Sequence, residues 1–205
     1  MRSTIFAAAM AFAFAVQPAL AQAPMPPPQG TPTNIRGTVT TLSGQTLTLK
    51  GRDGKPVVIA LTPGYVVHAY AHKKLSDIHA GDFIASTSMK GKDGKLHAIE
   101  IHFLPPNVPE LQSPWDLRKD SVMTNAHVTG LAKTVGGTDI ALVYKGNNVT
   151  DIVVGPHTII VGPAPATVAD VKPGKFVFVF ARRRPDGTLF ANNVSVEKNG
   201  VKPPM

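Results

Sequence analysis

The chain predicts an all-β fold, two small antiparallel β-barrels in tandem, on three observations. First, short strand-like runs recur every 8–12 residues with turn residues between them, the signature of a sandwich or barrel. Second, Asp93-Gly94 and Asp186-Gly187 each separate two such runs, as in a tight β-hairpin. Third, the shift that carries Asp93 onto Asp186 lays Ile35–Phe103 over Val128–Val196 without a gap, matching Gly37 with Gly130, Pro63 with Pro156, Gly81 with Gly174 and Leu96 with Leu189. The matches are mostly turn and core residues, so the shared property is a fold. About six strands in so short a unit are too few for two large sheets, and a small barrel hides strand edges best.

Each segment follows in order. Met1-Arg2-Ser3-Thr4, the apolar run Ile5–Val16 and Ala19-Leu20-Ala21 form the three-part pattern of a secretory signal peptide over 1–21, with cleavage expected after Ala21. Residues 22–33 carry Pro24, Pro26, Pro27, Pro28 and Pro32 and read as an extended tether. The first barrel is expected over 34–104, with strands at Ile35–Leu42, Gln45–Lys50, Pro56–Leu61, Tyr65–Tyr70, Asp82–Lys90 and Leu96–Phe103 and one helical turn at Leu75–Ile78. Residues 105–126 hold Pro105, Pro106, Pro109 and Pro114 and read as a linker. Its Trp115, the only tryptophan, is expected to dock on a barrel or between the two, or to stack on a ligand. The second barrel is expected over 127–197 and a frayed tail over 198–205. In Phe176–Phe180 the phenylalanines share one face and Val177 and Val179 the other, so this strand should be covered on both sides.

Composition narrows the function classes. The chain has no cysteine and a formal charge of +8, so an exported form would hold together by burial and hydrogen bonding and would favour anionic neighbours. No segment after the leader approaches the roughly 20 apolar residues of a membrane span.

Histidines are the first candidate chemistry. His68 and His72 lie in or beside an expected strand, where four residues span about 13 Å, and His97 and His102 fall on opposite faces unless a bulge intervenes. A metal reading would use these four, with Met89 or Glu100. The second candidate is basic: Lys90, Lys92 and Lys95 around one Asp-Gly turn, and Arg182, Arg183 and Arg184 beside the other, could grip phosphate or carboxylate groups or simply guard strand ends. Nucleic acid is disfavoured, because stacking aromatics are not interleaved with the basic residues. The chain contains no G-x-S-x-G elbow, phosphate loop or H-E-x-x-H, so the expectation is a protein that is not an enzyme and needs no cofactor.

The motifs Leu75-x-x-Ile78-x-x-Gly81-Asp82-Phe83 and Asp93-Gly94-x-Leu96-x-Ala98 recur in pattern in the second half, and Gly37-Thr38-Val39 returns as Gly130-Leu131-Ala132. They resemble the bacterial exported domain of unknown function DUF5666, and Trp115-Asp116-Leu117 with Met123-Thr124-Asn125-Ala126 resembles the join in proteins with two such domains. The resemblance implies OB-like barrels and no catalytic residues. The resulting expectation is an exported, periplasmic, non-enzymatic binding or scaffold protein. It would engage an anionic envelope component or a partner protein through the hairpin tips and the inter-barrel crevice. The alternative is a periplasmic metal-binding protein using the histidines. Oligomeric state is left open.

Overall fold

A computed structural model describes residues 30–204. The signal peptide over 1–21 and the start of the tether lie outside the described residues. Three strands, β1 (Thr31–Ser43), β2 (Thr46–Gly51) and β3 (Pro56–His72), lead to a 3-10 turn at Leu75–Asp77. The β4 (Phe83–Lys90) and β5 (Leu96–Phe103) hairpin follows, then β6 (Leu111–Trp115), β7 (Ser121–Thr134), β8 (Gly137–Tyr144), β9 (Asn148–Val154) and β10 (Ile159–Ala164). A second 3-10 turn at Val168–Asp170 precedes β11 (Phe176–Arg183) and β12 (Leu189–Val196). The fold is all-β, and no α-helix occurs among the described residues.

The pairings close two rings of strands, and the halves of the chain are exchanged between them. In the first ring β11 pairs with β1, β1 with β2, β2 with β3, β3 in parallel with β12, and β12 with β11. In the second, β4 pairs with β5, β5 in parallel with β9, β9 with β8, β8 with β7, and β7 with β4. The expected division into self-contained barrels over 34–104 and 127–197 is therefore corrected. Strands β1–β3 close with β11–β12, and β4–β5 close with β7–β9. Barrel B is continuous in sequence from β4 to β9, while barrel A is assembled from the two ends of the chain.

The exchange is symmetric. Between the barrels, β10 pairs in parallel with β5 through Ile160 and Ile101, and antiparallel with β3. At the centre of that antiparallel seam Tyr70 faces Pro163, its own counterpart in the second half. Each inner strand runs on from its barrel into the seam, so the next hairpin lands in the other barrel.

The gap-free register fails at one hairpin. Val39 donates its N–H to Lys175 O at 2.8 Å and accepts from Gly174 N at 2.9 Å. The same two bonds in barrel B are made by Val128, with Asp82 O at 2.9 Å and Gly81 N at 2.8 Å. Val128, and not Ala132, therefore holds the place of Val39. The β7–β8 hairpin absorbs the difference by lengthening, so its turn falls at Val135-Gly136 and Gly137 is a strand residue.

Three boundaries also move. Thr31–Thr33, assigned to the tether, pair with Ala181–Arg183. Ser121–Ala126, assigned to the linker, are strand and pair with β4. The tail is docked: Val201 is 8 % exposed, Pro203 is buried, and Lys198 Nζ sits 3.0 Å from Asp170 Oδ2 and 2.9 Å from Pro165 O.

The two cores are separate and aliphatic. Barrel A buries Leu47, Leu49, Ile59, Val177, Val179, Val194 and Val196, and barrel B buries Ile84, Ile101, Val128, Ile140, Leu142 and Ile152. Each such side chain contributes about 1.5–3 kcal/mol on full burial, which is how a chain without disulfides holds two small barrels. On β11, Val177, Val179 and Ala181 fill barrel A, while the phenylalanine face points outward. Phe178 is covered, 4 % exposed, with the Arg36 guanidinium 4.9 Å from its ring centre, whereas Phe180 is 41 % exposed.

Candidate functional site

Between the barrels lies a cleft of about 410 Å³ whose walls come from both. Barrel A supplies Arg52 from the β2–β3 turn and Phe176 from the start of β11, and barrel B supplies Ile99 and Glu100 from β5. His72 and Ile159 come from the seam, Leu117 and Arg118 from the linker, and Gly200–Pro204 from the tail. Arg52, Arg118 and Lys202 are exposed on its rim, against one lining carboxylate, Glu100.

A clamp at the linker fixes one side. Arg36, buried on the outer face of β1, donates from Nη1 to Asp116 Oδ2 and from Nη2 to Asp116 Oδ1, both at 2.9 Å. Asn34 Nδ2 adds a third bond to Asp116 at 2.8 Å. Burial works to raise the Asp116 carboxyl, but the hydrogen bonds from Arg36 and Asn34 outweigh it and hold the group below its ordinary value. The Arg36 guanidinium lies 6.0 Å from the Trp115 ring centre and 4.9 Å from that of Phe178. Trp115 is half-buried at the join between barrel A and the linker, while its own strand β6 pairs with β7 of barrel B. Asn34 Oδ1 and Trp115 Nε1 are buried here without a hydrogen-bond partner among the described residues. Burial and the nearby Arg36 guanidinium lower Arg52, and Asp116 only partly offsets them.

Glu100 ends a buried polar chain. It is 1 % exposed; Thr87 Oγ1 donates to its Oε1 at 2.5 Å, and His102 Nδ1 lies 3.0 Å from its Oε2. His102, 3 % exposed, meets the Tyr70 ring edge-on at 6.0 Å. Burial pushes the Tyr70 hydroxyl up, a hydrogen bond with Ser195 opposes this, and Glu100 adds to the rise. The chain therefore runs from β4 and β5 of barrel B through the seam strand to β12 of barrel A. A bulge in the β4–β5 pairing between Thr87 and Ser88 places Glu100 and His102 outside the barrel, beneath the cleft, while Ala98 and Ile101 stay in the core.

The sequence-derived candidates fall in different places. His68 and His72 are exposed on β3, His97 contacts Asp93 at 3.0 Å beside the β4–β5 turn, and His102 is buried against Glu100. No group of three or more His, Cys, Asp or Glu with metal-holding geometry occurs among the described residues. The basic hairpin tips are partly engaged within the protein. Lys95 Nζ pairs with Asp139 at 2.8 Å, Arg182 Nη1 donates to Gly30 O at 2.9 Å, Arg183 Nη1 donates to Gly187 O at 3.2 Å, and Arg184 lies 4.5 Å from the Phe190 ring centre. Lys90 and Lys92 remain exposed at the other tip. Neither tip lines the cleft. No helix among the described residues is long and apolar enough to cross a membrane.

Sequence reasoning passed over Arg36, Arg52, Arg118 and Lys202, which are far apart along the chain and belong to no motif. The one available signal was Arg36 itself, a cation inside an otherwise apolar and threonine-rich strand. No protein-family model matches this chain, nor does any curated protein or solved structure.

Proposed function

We propose that this chain is an exported, non-enzymatic binding protein whose ligand is an anion held in the cleft between the barrels. The observation that carries the reading is the convergence of Arg52, Arg118 and Lys202 on a concave site with one lining acid, itself engaged by Thr87 and His102. Cations gathered in a cleft with low-dielectric walls raise the local concentration of anions. The cleft replaces the hairpin tips as the expected binding surface, because it is concave and because four of the six tip cations already contact groups of the protein, whereas of the three cleft cations Lys202 does so, 5.4 Å from the Phe176 ring centre.

Three further elements belong to this reading. The signal peptide delivers the chain to the periplasm, and the chain is related to the DUF5666 domains by the motifs quoted above. The symmetric seam and the shared hairpin registers of β4–β5 and β11–β12 favour a duplicated OB-like module whose halves exchanged strands.

Retention on immobilised heparin tests the binding reading. Arg52→Ala with Arg118→Ala and Lys202→Ala is expected to lower the eluting salt concentration clearly, and Lys90→Ala with Lys92→Ala to do so less. Equal loss in both sets would return the site to the hairpin tips. The mass of the protein recovered from the cell envelope tests export: a mature chain beginning at Gln22 is expected, and a full-length cytoplasmic product would refute it.

A further inference from the structure

We infer that the cleft takes a single amphipathic anion, one carboxylate or phosphate head on an apolar chain. This rests on the reading of the cleft as the ligand site and names what fills it. The rim gives the head its place: Arg52, Arg118 and Lys202 converge there, and a guanidinium binds carboxylate or phosphate oxygens through paired N–H groups. An incoming anion also relieves Arg52, whose charge is disfavoured by burial and by Arg36.

The walls say what the rest of the ligand must be. Ile99, Leu117, Ile159 and Phe176 line the same space, and Ile159 is 47 % exposed although it sits in the central strand of the seam. Inorganic phosphate or a flat polyanion would satisfy the rim and leave these side chains in water. A neutral hydrocarbon would cover them and give Arg52 and Arg118 no anion, while Lys202 already lies 5.4 Å from the Phe176 ring centre. Only a molecule with both parts matches both, and the volume lies in the range of small-molecule sites, which are mostly apolar with a few placed polar groups. The concave shape, closed on one side by the tail through buried Val201 and Pro203, suits one molecule and not a bilayer surface.

Trp115 supplies the readout, being the sole tryptophan and two residues from the lining Leu117. The mature full-length chain is titrated with dodecyl phosphate below its micelle concentration, and in parallel with dodecyl maltoside, inorganic phosphate and heparin. A saturable fluorescence change is expected with dodecyl phosphate at a concentration at least about tenfold below that needed for heparin or inorganic phosphate, and none with dodecyl maltoside. The dodecyl phosphate Kd should weaken by about tenfold or more in the Arg52→Ala, Arg118→Ala, Lys202→Ala protein. Ile159→Gln, at a position 47 % exposed, should weaken it as well, with a thermal melt of the variant separating lost binding from lost fold. If heparin or phosphate binds as tightly and the cation variants abolish that binding, the cleft remains an anion site but the amphipathic ligand is wrong. If dodecyl maltoside binds equally, the head-group argument is wrong. If the protein instead sediments with anionic vesicles and ignores the monomeric amphiphile, the single-molecule ligand is wrong. If no probe binds, both the ligand and the cleft reading fail together.

Discussion

Replacing Glu100 by alanine removes the acceptor of two buried groups at once. The carboxylate is 1 % exposed, with Thr87 Oγ1 at 2.5 Å and His102 Nδ1 at 3.0 Å, and both partners are themselves buried. Stranding a buried hydrogen-bonding group costs about 1–3 kcal/mol, and Glu100→Ala strands both Thr87 and His102. We expect Glu100→Ala to destabilise the protein by about 2–6 kcal/mol, a fall in Tm on the order of 10 °C for a domain of this size. Urea unfolding followed by circular dichroism measures it, with an unchanged m-value showing that only stability moved. Glu100→Gln keeps the volume and one acceptor, and should cost less. The triple variant Thr87→Val, Glu100→Met, His102→Leu removes Glu100 together with both of its partners, and should recover most of the single variant's loss. A loss below about 1 kcal/mol for Glu100→Ala would refute the network as a stabilising joint between β4 and β5.

Other outcomes follow from particular contacts. Gly137→Ala should destabilise by about 1–3 kcal/mol, since its φ is 144° and a Cβ there would press into Val154 O, while Gly136→Ala, with open space around it, should be near neutral in the same melts. Truncation after Gly200 should lower stability by about 1.5–3 kcal/mol through loss of the buried Val201 and Pro203, and an unchanged melt would mean that the tail packs on nothing. Asp170 is held below its ordinary value by the Thr167 backbone N–H first and by Lys198 second. A carboxylate lowered in the folded state contributes stability above its unfolded pKa of about 3.9 and loses it as pH falls through the folded value, so Asp170→Asn should flatten the fall in stability below about pH 4. An unaltered acid limb would count against that bond.

The all-β class was legible because the signals behind it are local. Asp93-Gly94 and Asp186-Gly187 do close hairpins, with Asp93 Oδ1 and Asp186 Oδ1 accepting from the backbone of Lys95 and Thr188. The alternation of Leu47 and Leu49 with Thr46 and Thr48 did point one face of β2 into a core. Strand exchange was not legible. The hydrophobic face of β11 is the same whether it closes on β1 or on β7, so alternation alone cannot say which half completes a barrel. The lengthened β7–β8 hairpin was hidden for a related reason: Gly37 with Gly130 and Gly44 with Gly137 matched as letters, although Gly44 turns with φ 56° and Gly137 stands in a strand. The cleft was expected in outline as a crevice, but its cations come from a turn, a linker and the tail, which carry no period. Trp115 drew notice as an isolated aromatic, and its half-burial against the Arg36 clamp accords with a tryptophan that packs.

The exchanged strands themselves are tested most directly by two fragments. Barrel B and its whole core, from Leu75 to Ile160, lie in one continuous stretch, so a fragment spanning residues 74–164 should fold alone, with dispersed amide resonances and a cooperative melt. A fragment spanning residues 34–104 holds β1–β3 and β4–β5, which belong to different barrels, and should not form a folded monomer. A folded, monomeric 34–104 fragment beside an unfolded 74–164 fragment would show two barrels in tandem and contradict the exchange.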